Sequence, residues 1–245
     1  MLEICCDSVA SAVRAQRGGA DRLELCDCLE YGGLTPSAGK IKAVRKAVKI
    51  PVFVLIRPRK GDFLYTAEEF EVMLEDIAFA KQLGANGIVS GVLLQNGSVD
   101  RCRTAQLLEA SYPLDFTFHR AIDASCDPVK SLQTLIEMKI PRVLTSGGSS
   151  RAVDSLETLK RMLEVSDDSI ILMAGGGIRP DTLGCLISLG LTEFHSSASS
   201  TIHSDMQYSS DVSMGSDTSS EHSWRIVDEE MVLNMKTLLT DTKSK

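Results

Sequence analysis

Basic residues are few in this chain. Its 245 residues include 26 Lys and Arg against 33 Asp and Glu, which gives a formal net charge of -7 at pH 7. A nucleic-acid groove needs a concentrated Lys/Arg face to neutralise phosphates, and the sequence contains no such cluster. We therefore expect no nucleic-acid partner.

Long apolar runs are scarce as well. A run such as Ile170 to Ala174 is among the longest in the sequence, whereas a membrane-spanning helix needs about 20 apolar residues. Glu3 and Asp7 interrupt the N-terminus, so it lacks the basic start and the apolar core of a secretory signal. The sequence therefore predicts a cytoplasmic protein without a membrane partner.

Closely spaced cysteines are also lacking. The seven cysteines are an odd number and are spread from position 5 to position 185, unlike the dense sets that cross-link small secreted domains. We therefore expect reduced thiols. Cys102, Cys126 and Cys185 fall in predicted helices or loops, where a free cysteine usually acts as a small apolar residue.

The sequence does contain a regular alternation of short apolar strands with longer segments of helical spacing. Eight strand-helix units of about 30 residues each are typical of one closed parallel (β/α)8 barrel, a TIM-type barrel, here a single domain over residues 1–245. An open doubly wound sheet would need a break in the alternation or a glycine-rich dinucleotide fingerprint, and neither is present. The predicted strands are Leu2 to Cys6, Arg22 to Cys26, Val52 to Arg57, Gly87 to Val92, Asp115 to His119, Arg142 to Ser146, Ile170 to Ala174 and Glu193 to Ser196.

One segment departs from this alternation. Between residues 196 and 223, 12 of 28 residues are serine, with almost no helical or strand period. The segment leaves the end of the eighth strand, so it should emerge at the face where barrel active sites lie. We interpret residues 197–223 as an extended Ser-rich loop that forms a mobile cover over this face; a plain surface loop is the alternative.

Polar side chains stand at the C-terminal ends of the predicted strands, where barrels place their functional groups. Alternate residues of a strand share a face, so the Glu-x-Cys pairs that end the first two strands present acid and thiol on the same side. The same reasoning directs two histidines and an arginine into the barrel mouth. The predicted mouth residues are Glu3, Cys5, Glu24, Cys26, Arg57, His119 and His195.

Charged groups inside a barrel are costly unless they are paired. Arg57 beside Glu3 or Glu24 would offset that cost, and the polar mouth would then be a set of structural ion pairs. The functional alternative is proton transfer, in which one of these acids is the base and His119 or His195 is the acid. No lysine falls at a predicted strand end, so a Schiff-base mechanism lacks its nucleophile.

A glycine triplet follows the seventh strand and opens the next predicted helix, near Arg179. Backbone N–H groups at a helix N-terminus attract anions, and the loops after strands seven and eight are the usual phosphate position of this architecture. Two serines after strand eight could add hydroxyl donors. The predicted site for a small anion is Gly175, Gly176, Gly177, Ser196 and Ser197; the alternative is a tight turn that merely needs glycine.

The thiols at the strand ends suggest a metal site. Thiolate is a soft ligand that suits Cu(I) or Zn(II), and neighbouring strands lie about 4.8 Å apart. Cys5 and Cys26, at matching heights, would both contact one ion in a two-coordinate site. Cys28 adds a third thiol in a weak Cys-x-Cys pattern, and Cys6 should point outward. Two buried cysteines without a metal are the alternative.

Several long segments form a recognisable set: Glu3-Ile4-Cys5-Cys6, Gly19-Ala20-Asp21-Arg22-Leu23-Glu24-Leu25-Cys26, Gly32-Gly33-Leu34-Thr35-Pro36-Ser37, Ile56-Arg57-Pro58-Arg59, Gly61-Asp62-Phe63, Thr117-Phe118-His119-Arg120-Ala121, Val143-Leu144-Thr145-Ser146-Gly147, Ala174 to Ile178, and Glu193-Phe194-His195-Ser196-Ser197-Ala198. This set resembles the CutC copper homeostasis family. The resemblance implies a cytosolic (β/α)8 barrel that forms homo-oligomers, dimers or tetramers, and it places a copper role on Cys5 and Cys26. Two positions depart from the family pattern: Lys60 replaces a common glycine, and Ser196 stands where some relatives have cysteine.

The leading hypothesis is a cytosolic copper homeostasis protein whose partner and cofactor is Cu(I), bound by Cys5 and Cys26. The alternative is a metal- or acid/base-dependent barrel enzyme that acts on a small phosphorylated or carboxylated sugar-like substrate. In that enzyme the mouth acids and His119 would transfer protons, while Arg57 and the glycine triplet would hold the anionic ligand.

Overall fold

A closed barrel of eight parallel strands forms the centre of the computed structural model, which describes residues 1–208 and 222–241. The strands pair in sequence order, and the last strand pairs with the first. The predicted (β/α)8 barrel is therefore confirmed. The strands are β1 (Leu2–Cys6), β2 (Arg22–Leu25), β3 (Val52–Leu55), β4 (Gly87–Ser90), β5 (Asp115–Phe118), β6 (Arg142–Thr145), β7 (Ile171–Ala174) and β8 (Glu193–Ser196).

Several helices begin where a side chain caps their free N–H groups. The Ser8 hydroxyl caps the first helix, and Thr66 forms a reciprocal capping box with Glu69 at the third. The fourth helix begins after Asp100, whose carboxylate accepts from the Arg103 N–H. The helices are α1 (Val9–Arg17), α2 (Ala38–Ala47), α3 (Ala67–Gln82), α4 (Arg101–Ser111), α5 (Pro128–Glu137), α6 (Leu156–Ser166), α7 (Pro180–Ser188) and α8 (Glu229–Asp241). Within the described ranges, no helix combines the length and the apolar character that a bilayer crossing requires.

Each strand divides its side chains between two environments. Leu23 and Leu25 of β2 face outward and pack in the main core beneath the helices, where full burial of a leucine contributes about 1.5–3 kcal/mol. Cys6 lies in the same core, so its predicted outward direction is confirmed. The residues facing the lumen form a separate, smaller apolar cluster: Cys26, Phe53, Leu55 and Val89.

The Ser-rich segment contains more regular structure than its composition predicts. Strand β9 (Ser199–His203) pairs antiparallel with β10 (Ser223–Val227), and the two form a separate two-stranded sheet. The base of this ribbon is tied to α1, because the Val227 N–H donates to the Ser11 hydroxyl. The expected lack of strand structure is therefore wrong at 199–203. The middle of the predicted loop, 209–221, lies outside the described residues, so the mobile cover stays a prediction.

We expect two glycine substitutions to have opposite effects on stability. A Cβ on Gly87 would lie 2.6 Å from the Phe53 ring, which is held from another side by the Arg22 guanidinium at 4.5 Å. Gly87→Ala should therefore lower the free energy of unfolding by about 1–3 kcal/mol through overpacking. Gly184, within α7, has no heavy atom within 4 Å of an added Cβ. Gly184→Ala should therefore raise the free energy of unfolding by about 0.5–1 kcal/mol. Urea unfolding measures both; equal effects would contradict this account of the lumen packing.

Candidate functional site at the barrel mouth

Three side chains converge in the lumen near the C-terminal ends of β1, β2 and β8. A ligand atom from each of Cys5, Glu24 and His195 lies within 4.8 Å of the other two. The strand register explains this meeting, because Cys5 pairs with Glu24 across β1 and β2, while Glu3 pairs with His195 across β1 and β8. We name Cys5, Glu24 and His195 the lumen triad. Solvent reaches it only slightly, since the His195 side chain is 11% exposed.

Glu3 lies next to the lumen triad and is completely buried. Its Oε2 accepts a hydrogen bond from Arg22 Nε at 2.5 Å, and its Oε1 lies 2.7 Å from His195 Nδ1. Burial alone would raise the pKa of Glu3, but the hydrogen bond with His195 and the charge of Arg22 lower it to about 2. An ionised carboxylate can only accept, so Nδ1 of His195 carries the proton.

Glu24 has no comparable partner. None of the described residues donates a hydrogen bond to its carboxylate, and His195 Nε2 approaches it only to 3.8 Å. Burial raises the pKa of Glu24 to about 7 against the opposing charges of His195 and Arg22. A carboxyl group that titrates near neutral pH can both accept and donate a proton.

His195 connects the thiol to the two acids. Burial alone would lower its pKa, but the charges of Cys5 and Glu24, together with hydrogen bonds to Cys5 and Glu3, raise the pKa of His195 well above its usual value. The thiol, imidazole and carboxyl groups therefore form one connected set of proton donors and acceptors.

A layer of charge lies below the triad, toward the N-terminal end of the barrel. Glu193 accepts from Arg142 Nε at 2.8 Å and from Arg22 Nη2 at 3.4 Å, and both guanidinium groups lie over the Phe53 ring. The sequence reasoning missed these residues as part of the site. Arg22 stands two residues before Glu24, so the alternation of strand faces was a signal that could have found it.

Arg57 does not pair with either mouth acid. The expectation that it neutralises Glu3 or Glu24 is wrong, because Arg22 takes that place beside Glu3. The Arg57 guanidinium instead donates to the carbonyl oxygens of Tyr31, Gly33 and Gly61 at 2.8, 3.0 and 2.8 Å. It thereby links the loops that follow β2 and β3 at the rim of the mouth.

His119 is buried at the end of β5, outside the lumen triad. Its Nδ1 accepts from the Ala121 N–H at 3.2 Å, and its Nε2 is a buried atom without a hydrogen-bond partner among the described residues. Burial and the charge of Arg57 lower the pKa of His119 to about 3. The imidazole is therefore neutral near pH 7, and the acceptor role of Nδ1 places its proton on Nε2.

Cys26 stands higher in the barrel than Cys5. The register aligns Cys5 with Glu24, so the expected matching heights of the two thiols are wrong. An offset of two residues on a neighbouring strand separates the Cα atoms by about 8 Å. Burial raises the pKa of the Cys26 thiol well above its usual value, and the charges of Glu24 and Cys5 add to this effect. Cys28 is half-buried in the loop that follows.

The glycine triplet, residues 175–177, leads into the helix that the sequence predicts near Arg179. Helix α7 starts at Pro180, and Arg179 is its N-cap residue. Gly176 and Gly177 have φ of 91° and 70°, in the left-handed region that favours glycine. The Gly175 N–H donates to Thr145 O at 2.9 Å and is not free for an anion.

The two serines after β8 differ in their hydrogen bonds. The Ser196 hydroxyl donates to Ile178 O at 2.6 Å and accepts from the Ala198 N–H at 3.0 Å, so the backbone occupies it. The Ser197 hydroxyl is half-buried and accepts from the Ser199 hydroxyl at 3.3 Å. Ser197 thus keeps more capacity for a ligand than Ser196.

Comparison with known proteins identifies the family. The family model of CutC matches residues 1–200. The chain belongs to the CutC family. The human copper homeostasis protein cutC homolog (Homo sapiens) is 48% identical over 231 residues, covering 93% of this chain and 85% of that protein. The mouse homolog (Mus musculus) is 44% identical over 244 residues, covering 98% of this chain and 90% of that protein. The resemblance to CutC in the sequence is confirmed.

Solved structures agree with this CutC fold. The crystal structure of the copper homeostasis protein CutC from Streptococcus agalactiae has a TM-score of 0.76 and 32% identity, and it covers 80% of this chain and 98% of that one. Thiamine phosphate pyrophosphorylase from Pyrococcus furiosus reaches a TM-score of 0.59 at 14% identity, covering 98% of this chain and 95% of that one. The second likeness shows only the shared barrel fold.

The buried neutral His119 makes a prediction for acid stability. Its pKa is lowered on folding, so it contributes stability that is present above about pH 6.5 and is lost as the pH falls toward 3. His119→Asn keeps an acceptor for the Ala121 N–H but does not titrate. Between pH 7 and 4.5 the wild type should lose about 2–3 kcal/mol more than this variant in urea unfolding. The exposed His203 provides the control: His203→Gln should follow the wild type. If all three proteins lose the same free energy of unfolding between pH 7 and 4.5, His119 is not the buried neutral group responsible.

Proposed function

We propose that this CutC protein is a cytosolic copper homeostasis protein that binds Cu(I) through Cys5 and Cys26. The observation that carries the proposal is the placement of two buried thiols on the lumen side of neighbouring strands, on a diagonal beside Glu24. Thiolates are the ligands that Cu(I) prefers. Among the seven cysteines, these are the two that are both buried and directed into the lumen cluster or the triad.

Burial supports a copper site of low coordination number. Cys26 packs against Phe53, Leu55 and Val89, so water has little access to an ion from the Cys26 side. The diagonal offset requires the two side chains to lean toward each other to hold one ion. The bound ion would be cargo rather than a structural part of the barrel.

Protonation couples copper binding to pH. The raised pKa of the Cys26 thiol keeps it protonated near neutral pH, and a metal ligand must give up that proton. Glu24, whose pKa is about 7, stands close enough to Cys5 to accept a proton that leaves a thiol. Uptake of Cu(I) should therefore release protons, and the apparent affinity should fall as the solution becomes more acidic.

A competition titration of the reduced protein against a Cu(I) chelator tests the proposal. The wild type should take up one Cu(I), and the Cys5→Ser/Cys26→Ser double variant should lose affinity by more than the about 10–100-fold that removal of an outer-shell partner costs. The matched control is Cys102→Ser/Cys185→Ser, which removes two exposed thiols. Equal uptake by the wild type and the first double variant would remove Cys5 and Cys26 from the role.

We propose a second candidate function, a barrel enzyme for a small phosphorylated or carboxylated sugar-like substrate. It is favoured by two arginines beside the glycine triplet: Cβ atoms on Gly176 and Gly177 would lie 3.4 Å from Arg120 Cζ and 3.3 Å from Arg151 Nε. Guanidinium groups are suited to bind phosphate and carboxylate. Glu24, whose pKa is about 7, would supply acid–base chemistry beside His195.

Inorganic phosphate in a thermal-shift assay tests this anion site. Phosphate should raise the midpoint of the wild type, and Arg151→Gln should remove most of the rise. Arg161→Gln, an exposed arginine of α6, is the control and should behave as the wild type. A phosphate effect that is absent, or equal in all three proteins, would deprive the second candidate of its support.

We also propose that the protein forms homo-oligomers, dimers or tetramers, in the cytosol. Membership of the CutC family is the support for both statements. An apolar groove between α4 and α5, lined in part by Leu108, Leu114 and Met138, offers surface for such an assembly. Light scattering of the reduced protein would give its size.

A further inference from the structure

We propose that the lumen triad, Cys5, Glu24 and His195, binds a divalent cation of the Zn(II) class. This site is distinct in its ligands from the two-thiol site for Cu(I), although the two share Cys5. The proposal stands on the geometry of the triad and does not require copper binding by Cys26.

The three ligand types fit Zn(II). Zinc accepts Cys sulfur, His nitrogen and carboxylate oxygen in a tetrahedral arrangement with bonds of about 2.0–2.3 Å, which places the ligand atoms roughly 3.3–3.8 Å apart. In the protein the three atoms already lie within 4.8 Å of one another, so small side-chain rotations close the site. Carboxylate is a hard ligand that suits Cu(I) poorly, which separates this set from a copper site.

The surroundings of His195 are those of a metal-binding imidazole. Ligating histidines usually donate their second ring N–H to a carboxylate, which fixes the ring and strengthens the ligand nitrogen. Glu3 accepts such a bond from His195 Nδ1 at 2.7 Å, and Arg22 holds Glu3 in place at 2.5 Å. The remaining nitrogen, Nε2, faces Glu24 at 3.8 Å. The outer shell is thus built before any ion arrives.

Glu24 supplies an independent reason for a cation. It is a buried carboxyl group to which no described residue donates a hydrogen bond, and its ion-pair partner His195 Nε2 stays at 3.8 Å; a buried acid without a hydrogen-bonded partner is costly. Arg22 bonds directly to Glu3 and Glu193, so its charge reaches Glu24 only from a distance. A cation held between Glu24, Cys5 and His195 would provide a partner in direct contact. Three protein ligands also leave a fourth position open to a small molecule entering from the mouth.

The shared thiol makes the two ions exclude each other. Cys5 cannot complete a linear pair with Cys26 and a tetrahedral centre with Glu24 and His195 at the same time. One equivalent of Cu(I) should therefore displace the divalent ion from the protein that carries both sites.

Cobalt(II) is the probe for this site, because it reports its own coordination. We expect the reduced, chelator-treated full chain to bind one Co(II), with a sulfur-to-cobalt charge-transfer band and the intense d–d bands of a four-coordinate ion, all lost on addition of Zn(II). Glu24→Gln and His195→Gln should each weaken Co(II) binding at least tenfold. Cys5→Ser should remove the charge-transfer band.

Two further variants separate this proposal from copper binding. Cys26→Ser should retain the Co(II) spectrum and lose Cu(I) affinity. Glu24→Gln should retain Cu(I) affinity and lose Co(II) binding. Cys185→Ser, which removes an exposed thiol, should retain both. If the wild type binds Co(II) as expected but does not bind Cu(I), the proposed function is contradicted and the divalent site remains supported.

A measurement on the wild type covers the case in which a triad variant does not fold. X-ray absorption of the Zn(II)-loaded protein should show one sulfur and three nitrogen or oxygen ligands. Absence of Co(II) binding, a zinc shell with two or more sulfurs, or Co(II) binding unchanged in both folded variants Glu24→Gln and His195→Gln would overturn the proposal.

Discussion

The Glu3 carboxylate is the group on which the mouth of the barrel depends. It is buried on the first strand and bonded on one side to Arg22 and on the other to His195. Such a charge is stable only while both partners remain, since removal of one partner of a buried pair costs about 3–5 kcal/mol. By remaining ionised, Glu3 holds a proton on Nδ1 of His195 and directs Nε2 toward Glu24 and Cys5. The chemistry of the mouth follows from this orientation.

The register of the barrel then decides which groups can act together. Cys5 is aligned with Glu24, and Cys26 lies two residues higher. This offset gives the lumen two overlapping sets of ligands, a diagonal pair of sulfurs and a mixed set of sulfur, oxygen and nitrogen. The two sets differ in chemical softness and therefore in the ions they prefer. With the two proposed sites, the barrel would distinguish Cu(I) from a divalent cation while using one thiol for both.

The residues around the mouth divide into those that act in the site and those that shape it. Arg57 binds three backbone carbonyls and orders two loops, and His119 is a neutral ring that caps the short turn after β5. The Arg22–Glu193–Arg142 layer closes the lumen below the triad. Arg22 of this layer also bonds to Glu3, so the layer holds in place the carboxylate that orients His195 of the triad.

The sequence by itself determined the eight strands, the closed barrel and the strand faces, because period-2 and helical patterns are local and each Glu-x-Cys pair must share one side of its strand. Its segments also determined the CutC family. It could not determine the partner of Glu3 or the heights of the two thiols. Those depend on the stagger between neighbouring strands, which is set when the barrel closes and not by any one segment. Only the tertiary structure therefore shows that the partner of Glu3 is Arg22 and not Arg57. Only the closed barrel brings Glu24 and His195, from opposite ends of the chain, close to the sulfur of Cys5.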